Sequence, residues 1–313
     1  MKKILVTGAT GFVGQHVCAR WARAGMSICA AAWDRPAPRK KVPRVRYACV
    51  DITDGIQVER LVGAFRPDAI LHLAALSIPS RSWKEPEKTF HVNVTGTLNL
   101  LEAVRRKAPS AVFLLASTVQ VYGRTFRKEK AVGESDPLWP ESPYAFSKAI
   151  AEMAAVDYHE KFGLRTVIAR AMNHIGRGQD DRLVLSDWAK QVALAEKKGR
   201  PGELRVGNID TWREFLHVED VIRAYKILLR KGKPGEIYNI GLGRPERLRA
   251  YAEFLVREAK VPMKIKTEKA RMRLHDPFRM TVRTEKIRKL GWKPRRSARE
   301  ALKDILDQWR EEV

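Results

Sequence analysis

The chain is predicted to be an α/β protein: a doubly wound parallel sheet with a smaller C-terminal α/β lobe. Three observations carry that prediction. An apolar run at residues 2–6 passes directly into Thr7-Gly8-Ala9-Thr10-Gly11-Phe12-Val13-Gly14 and then into a helical stretch ending near Ala24. Further apolar runs at 27–33, 46–50, 69–73, 111–116 and 164–169 alternate with helical segments. These runs are apolar throughout rather than every second residue, the mark of strands covered on both faces.

In chain order, the first strand and its glycine turn come first. Gly8 permits the tight turn, Gly11 lets backbone approach a pyrophosphate, and Gly14 lets the helix pack on the strand, with the helix N-terminus facing the anion. Helices are expected at 56–65 and over a long stretch at 84–107, and the strand at 69–73 ends in His72-Leu73-Ala74-Ala75. The strand at 111–116 runs into Ser117-Thr118, so hydroxyls stand at a carboxyl end, where sheets of this class bind ligands. Ser142-Pro143 opens a helix with no breaker before Phe162. From about 172 the rhythm loosens into a helix at 183–198, short strands near 203–206 and 213–217, a helix at 218–229, a strand at 237–240 and a helix at 246–259. A basic segment, 264–289, precedes the last helix, which opens with the capping box Ser297-Ala298-Arg299-Glu300 and buries Leu302, Ile305, Leu306 and Trp309. Residues 1–171, with part of 207–245, read as a dinucleotide-binding domain; 172–313 read mainly as a substrate lobe.

With 313 residues, 44% hydrophobic and 31% charged, the chain has the composition of a soluble globular protein, and no apolar run approaches a membrane span. Sixty Lys and Arg against 36 Asp and Glu leave a net charge of +24. The cations are dispersed and no zinc spacing or RNA-recognition signature accompanies them, so they are read as solvated surface that also draws in an anionic substrate. Cys18, Cys29 and Cys49 have no metal-ligand spacing and are expected to be buried thiols in a reducing cytoplasm.

Tyr144 and Lys148 lie four residues apart, on one helix face and about one turn up the axis. A phenol that titrates near pH 10 is a poor acid or base at neutrality; an ammonium beside it is expected to lower that value. Asp34 follows the second strand, where a carboxylate would accept from a ribose 2′-OH, while Arg35, Arg39 and Lys40 would hold a 2′-phosphate. The expected cofactor is NADP(H), with NAD(H) as the alternative.

Five motifs occur in order: Thr7-Gly8-x-x-Gly11-x-x-Gly14, His72-Leu73-Ala74-Ala75, Asn93-Val94-x-Gly96-Thr97, Ser117-Thr118-x-x-x-Tyr122-Gly123 and Tyr144-x-x-x-Lys148. Together they resemble the extended short-chain dehydrogenase/reductases of the nucleotide-sugar branch, whose fold is Rossmann-type, and the resemblance covers the whole chain. It implies a catalytic triad of Thr118, Tyr144 and Lys148, with Thr118 on the sugar oxygen, Tyr144 passing the proton and Lys148 holding the nicotinamide ribose. It further implies cofactor contacts at Gly8, Thr10, Gly11, Phe12, Val13, Asp34, Arg35, Asp51, Ile52, Leu73, Ala74, Ala75 and Asn93. Relatives pair the helices matching 84–107 and 144–162 across a two-fold axis, so a homodimer is expected.

A second set of words resembles GDP-4-dehydro-6-deoxy-D-mannose reductases: Asn173-His174-Ile175-Gly176-Arg177-Gly178-Gln179, residues 186–191, Val206-Gly207-Asn208 and Trp212-Arg213-Glu214-Phe215. The resemblance implies Asn173, Lys190, Asn208, Arg213 and Arg273 as contacts for a GDP-linked sugar. Arg177 stands where those proteins have Pro, and Arg273-Leu274-His275-Asp276-Pro277-Phe278 departs from their Arg-Pro-x-Glu-Val-Pro. A 4,6-dehydratase must also move protons at C5 and C6, and its relatives carry Asp or Glu in the two positions after the catalytic Thr. Here those are Val119 and Gln120, which transfer no protons. The implied reaction is reduction at C4, giving a product such as GDP-D-rhamnose. A 4-epimerase with tightly held NAD and a non-catalytic dinucleotide- or nucleic-acid-binding protein are the alternatives; specific nucleic-acid binding, membrane attachment and metal are not expected.

Overall fold

The computed structural model describes residues 2–34, 42–128, 130–272 and 278–313. Seven parallel strands form the central sheet: β1 Lys3–Thr7, β2 Ser27–Ala32, β3 Val45–Cys49, β4 Ala69–His72, β5 Val112–Thr118, β6 Arg165–Ala171 and β11 Ile237–Ile240, in the order β11-β6-β5-β4-β1-β2-β3. Successive strands run outward from β1 in one direction and from β4 in the other. The crevice between the carboxyl ends of β1 and β4 is therefore the switch point at which such sheets take their ligands.

Side chains along each strand alternate between two cores. Ile4 and Val6 face one with Val17, Trp21, Ile222 and Tyr225, from helices α1 (Phe12–Arg23) and α8 (Val218–Lys231). Leu5 faces the other with Val58, Leu101 and Ala151, from α2 (Gly55–Phe65), α5 (Gly96–Lys107) and α6 (Pro143–Phe162). Because helices cover both faces of the inner strands, those strands need no polar face, which is why their runs are mostly apolar. A third core, including Trp188, Leu204, Tyr251, Leu302 and Ile305, lies among α7 (Val184–Lys197), β8 (Gly202–Val206), α9 (Leu248–Glu258), β13 (Met263–Thr267) and α11 (Ala298–Glu312). The capping box opening α11 is present, with Ser297 and Glu300 bonding each other's backbone amides.

Three expectations need correction. The stretch 84–107 is helical from Pro86 to Lys107 but not regular: α4 (Pro86–Phe90), preceded by the short α3 (Pro79–Ser82), passes through a wide π turn at His91–Thr95 into α5. Cys49 is exposed, since β3 is the sheet's edge strand, whereas Cys18 and Cys29 are buried. Trp309 is only partly buried, because its indole N–H reaches the Ser186 hydroxyl at the rim of the third core. Among the described residues no helix is long and apolar enough to cross a membrane.

Candidate active site

The site is built where the chain leaves β1, β4 and β5. After β1, Gly8 has φ +67°, and a Cβ there would lie 2.7 Å from the Ala74 nitrogen that follows β4. The turn must be glycine because two strand ends meet there. A Cβ on Gly14 would lie 2.3 Å from the Gly8 carbonyl oxygen, so the helix needs glycine to sit this close. Gly11 caps α1 without a side-chain acceptor, and the first helical turn contains no acid. Its free N-terminal amides and positive dipole end suit a phosphate, so the loop fits a dinucleotide.

A buried hydrogen-bond chain holds these ends in place. Thr97 donates to the Asn93 carbonyl (2.6 Å) and therefore accepts from His72 Nε2 (3.0 Å). Thr7 accepts from Ala74 N–H (3.3 Å) and donates to His72 Nδ1 (2.7 Å). His72 is thus a neutral imidazole with its proton on Nε2, and burial, with the Lys148 charge adding to it, brings its pKa down to about 3. From the π turn the Asn93 amide accepts from Leu76 N–H (2.8 Å) and donates to the Leu76 carbonyl (3.2 Å) and to Ser147 Oγ (2.8 Å). Ser147 in turn donates to the Tyr144 carbonyl (2.8 Å). The Asn93 side chain, which the resemblance implies as a cofactor contact, thus braces α6 against the segment after β4.

Helix α6 starts sharply because Ser142 accepts from Ala145 N–H (3.1 Å) and Pro143 occupies the first helical position; Gly163, left-handed at φ 68°, ends it. That start places Tyr144 and Lys148 on the buried face, 8% and 3% exposed. Thr118, at the end of β5, lies within hydrogen-bonding reach of the Tyr144 phenol, and its Oγ1 accepts from Gln120 N–H (3.2 Å). Thr118 and Tyr144 are thus brought together, with Lys148 one turn along the same buried helix face. The electrostatics differ from expectation. Burial pushes the Tyr144 phenol up to about 12, the Thr118 hydrogen bond only partly opposing it, and no lowering by Lys148 outweighs this. Burial also brings Lys148 down to about 8, against the pull of Glu152. At neutral pH Tyr144 holds its proton, and most Lys148 is charged.

The remaining expected residues are less concentrated. Thr10 donates to Asp34 (3.0 Å), which fixes an exposed carboxylate beside the glycine turn. Phe12 stacks on His174 (6.2 Å between centroids), and Val13, Leu73, Ala74 and Ala75 are half-buried. Asp51 is exposed and accepts from Thr53 N–H (2.9 Å), while Ile52 is buried against Gly96. Asn173 is half-buried. Lys190 is paired with Asp181 (2.6 Å), and exposed Asn208 accepts from Asp210 N–H (3.1 Å). Arg213 is buried, with Nη1 donating to the Trp212 carbonyl (2.7 Å). Arg35 and Arg273 lie outside the described residues. Reading the sequence missed Glu152 and Arg170, which with Ser117 form a buried polar cluster. The signal was available: Glu152 continues the Tyr144/Lys148 stripe by one more turn, and Arg170 is a charge inside an apolar strand.

This fold and this triad are those of a short-chain dehydrogenase/reductase of the extended type. The chain matches the GDP-mannose 4,6 dehydratase family over residues 5–305 and belongs to that family. It is 34% identical to the GDP-6-deoxy-D-mannose reductase of Pseudomonas aeruginosa, covering 100% of this chain and 98% of that protein. It is 30% identical to the dTDP-D-glucose 4,6-dehydratase of Homo sapiens, over 99% and 90%. Among solved structures, RMD from Pseudomonas aeruginosa complexed with NADPH superposes with a TM-score of 0.87 at 32% identity, over 100% of both chains. The UDP-glucose 4-epimerase of Thermotoga maritima with UDP-glucose does so at 0.88 and 25% identity, over 99% of both.

Proposed function

We propose that the protein reduces the C4 ketone of a nucleotide-linked 4-keto-6-deoxy sugar, converting GDP-4-dehydro-6-deoxy-D-mannose to GDP-D-rhamnose. The observation that carries this reading is the buried Thr118–Tyr144–Lys148 set at the end of β5, beside a glycine cradle and followed by Val119 and Gln120. A reduced nicotinamide dinucleotide in that cradle supplies the hydride. Thr118 orients the ketone oxygen, and Tyr144, which stays protonated at neutral pH, donates its proton as that oxygen gains charge. Lys148 then stabilises the phenolate left behind. Dehydration would need a base for the C5 proton and an acid for the C6 oxygen, and a buried valine beside a glutamine provides neither.

In this reading residues 1–171, with part of 207–245, hold the dinucleotide, and 172–313 mainly hold the sugar nucleotide. Arg213 meets its pyrophosphate, with Asn173, Asn208 and Lys190 contributing, the last after leaving Asp181. Likeness to the NADPH complex of RMD favours NADPH, whereas the Asp34 carboxylate beside the glycine turn favours an unphosphorylated ribose. Phe146, Ile150 and Met153 are exposed at helical spacing along α6, with Leu98 exposed on α5; this apolar stripe supports a homodimer through these helices. The enzyme would act in the cytoplasm, where reduced dinucleotide is available.

The test is incubation of the purified protein with GDP-4-dehydro-6-deoxy-D-mannose and either NADPH or NADH, with the product identified by NMR. Reduction consumes one dinucleotide per 4-hydroxy product. A 4-epimerase would instead release bound NAD on denaturation and consume none.

A further inference from the structure

One buried cluster has no part in the chemistry just described. Ser117, Arg170 and Asn239 are register partners on β5, β6 and β11, one row before Thr118. They form a polar row across a sheet that is otherwise apolar there. Glu152, one turn beyond Lys148 on α6, reaches into that row and is 2% exposed, as is Arg170. Its Oε2 accepts from Arg170 Nε (2.9 Å) and Nη2 (2.6 Å), and its Oε1 accepts from Ser117 Oγ and, more distantly, from Arg170 Nε (3.2 Å). Arg170 is held from behind by the Tyr122 hydroxyl (2.9 Å) and the Glu134 carbonyl (3.1 Å), and its guanidinium lies over the Tyr122 ring at 4.8 Å. The Tyr122 hydroxyl in turn donates a hydrogen bond to Asn239 Oδ1 (2.8 Å).

A buried ion pair is not needed to hold an α/β layer together, since apolar side chains of similar volume commonly serve as well. Apolar side chains cannot supply a fixed negative charge one helical turn below a buried ammonium. We propose that Glu152 is a positioning residue for Lys148: clamped by Ser117 and Arg170, it fixes the rotation of α6 against β5 and keeps the lysine in its charged form.

The other groups around Lys148 do not do this. Tyr144 on the same helix and Tyr225 on α8 are phenols held protonated by burial, and His72 is neutral. Arg81 and Glu85 pair with each other, and Glu87, Lys88 and His91 are exposed. Glu102 on α5 is engaged by Arg105, Arg106 and Tyr158. Arg170 is a cation, but it is paired with Glu152 itself (2.6 Å). Glu152 is the charge that favours the ammonium, opposing the burial that disfavours it.

The proposal rests on Lys148 contacting the dinucleotide, so its test reads NADPH affinity as well as turnover. Affinity, from quenching of protein fluorescence, is measured from pH 6 to 10 for the wild type, Glu152→Gln, Glu152→Asp and Ser117→Ala. The alkaline loss of affinity is expected to move down by about one pH unit or more in Glu152→Gln, because an attraction to the ammonium is gone. It should stay near the wild-type position in Glu152→Asp and Ser117→Ala, which keep the charge. A folded Glu152→Gln protein whose profile coincides with the wild type overturns the proposal. If that variant does not fold, Glu152→Leu combined with Arg170→Met removes the pair without stranding a charge and is read against Arg170→Met alone; coincident profiles of these two proteins overturn it equally. A wild type that shows the alkaline limb but does not reduce the sugar would refute the proposed function and leave this inference standing.

Discussion

Replacing Lys148 with methionine should stabilise the folded protein at neutral pH while abolishing turnover. The ammonium is 3% exposed, and burial lowers its pKa from 10.5 to about 8. Below about pH 8 both folded and unfolded chains hold the proton, and the folded protein bears the whole unfavourable burial of the charge. Between about 8 and 10.5 the unfolded chain still binds a proton that the folded protein has released, so stability rises with pH. Above 10.5 both are neutral and the unfavourable contribution is gone. At about 1.4 kcal/mol per unit, the shift corresponds to about 3 kcal/mol. Lys148→Met carries no such penalty, so the gap between variant and wild type should shrink by about 3 kcal/mol from pH 7 to pH 11, whatever constant offset the new packing adds. Urea unfolding followed by fluorescence of the eight tryptophans measures both proteins across that range. A gap that stays constant with pH would show that the ammonium is not buried, and the electrostatic account of the triad would fall with it.

Other perturbations separate the parts of the site. Tyr144→Phe should lower kcat by about 10²- to 10⁴-fold while the dinucleotide still binds, as stopped-flow reduction and fluorescence titration would show. Gly8→Ala forces a Cβ to 2.7 Å from Ala74 N at a φ of +67°, so calorimetry should find dinucleotide binding lost and stability lower by about 1–3 kcal/mol. Met153→Arg places a charge on a side chain that is 66% exposed in the single chain. Under the proposed dimer, light scattering should report a dimer for the wild type and a monomer for this variant, with the fold intact by circular dichroism; a monomeric wild type or an unchanged dimer would refute the proposed interface.

Much of this site is legible in the sequence because backbone constraints leave few choices of residue. Gly8 and Gly14 are demanded by contacts of under 3 Å, and Ser142-Pro143 sets where α6 starts, hence which face carries Tyr144 and Lys148. Strand positions followed from apolar runs, since burial on both faces leaves no other pattern. What was not legible depends on long-range packing. The π turn at His91–Thr95 widens a helix whose residues are ordinary helix formers in part, and tertiary bonds through Asn93 and Thr97 hold it there. Cys49 sits in an apolar-looking run, yet β3 is an edge strand, and which strand forms an edge is a property of topology. The pKa of Tyr144 was misjudged for a related reason: helical spacing identifies an ammonium neighbour, whereas burial depends on everything packed around the phenol. Likewise Glu152 and Arg170 are 18 residues apart in the chain and become partners only when α6 lies on β6.

The central claim is that hydride from the dinucleotide reaches C4 of the sugar while Tyr144 provides the proton. The most direct measurement supplies GDP-4-dehydro-6-deoxy-D-mannose and NADPH deuterated at both nicotinamide C4 positions, in ordinary water, and locates the label in the product by NMR. The account predicts one deuterium, at sugar C4, for each dinucleotide oxidised, and a rate that collapses in Tyr144→Phe. Product without deuterium at C4, or undiminished turnover by Tyr144→Phe, would contradict it.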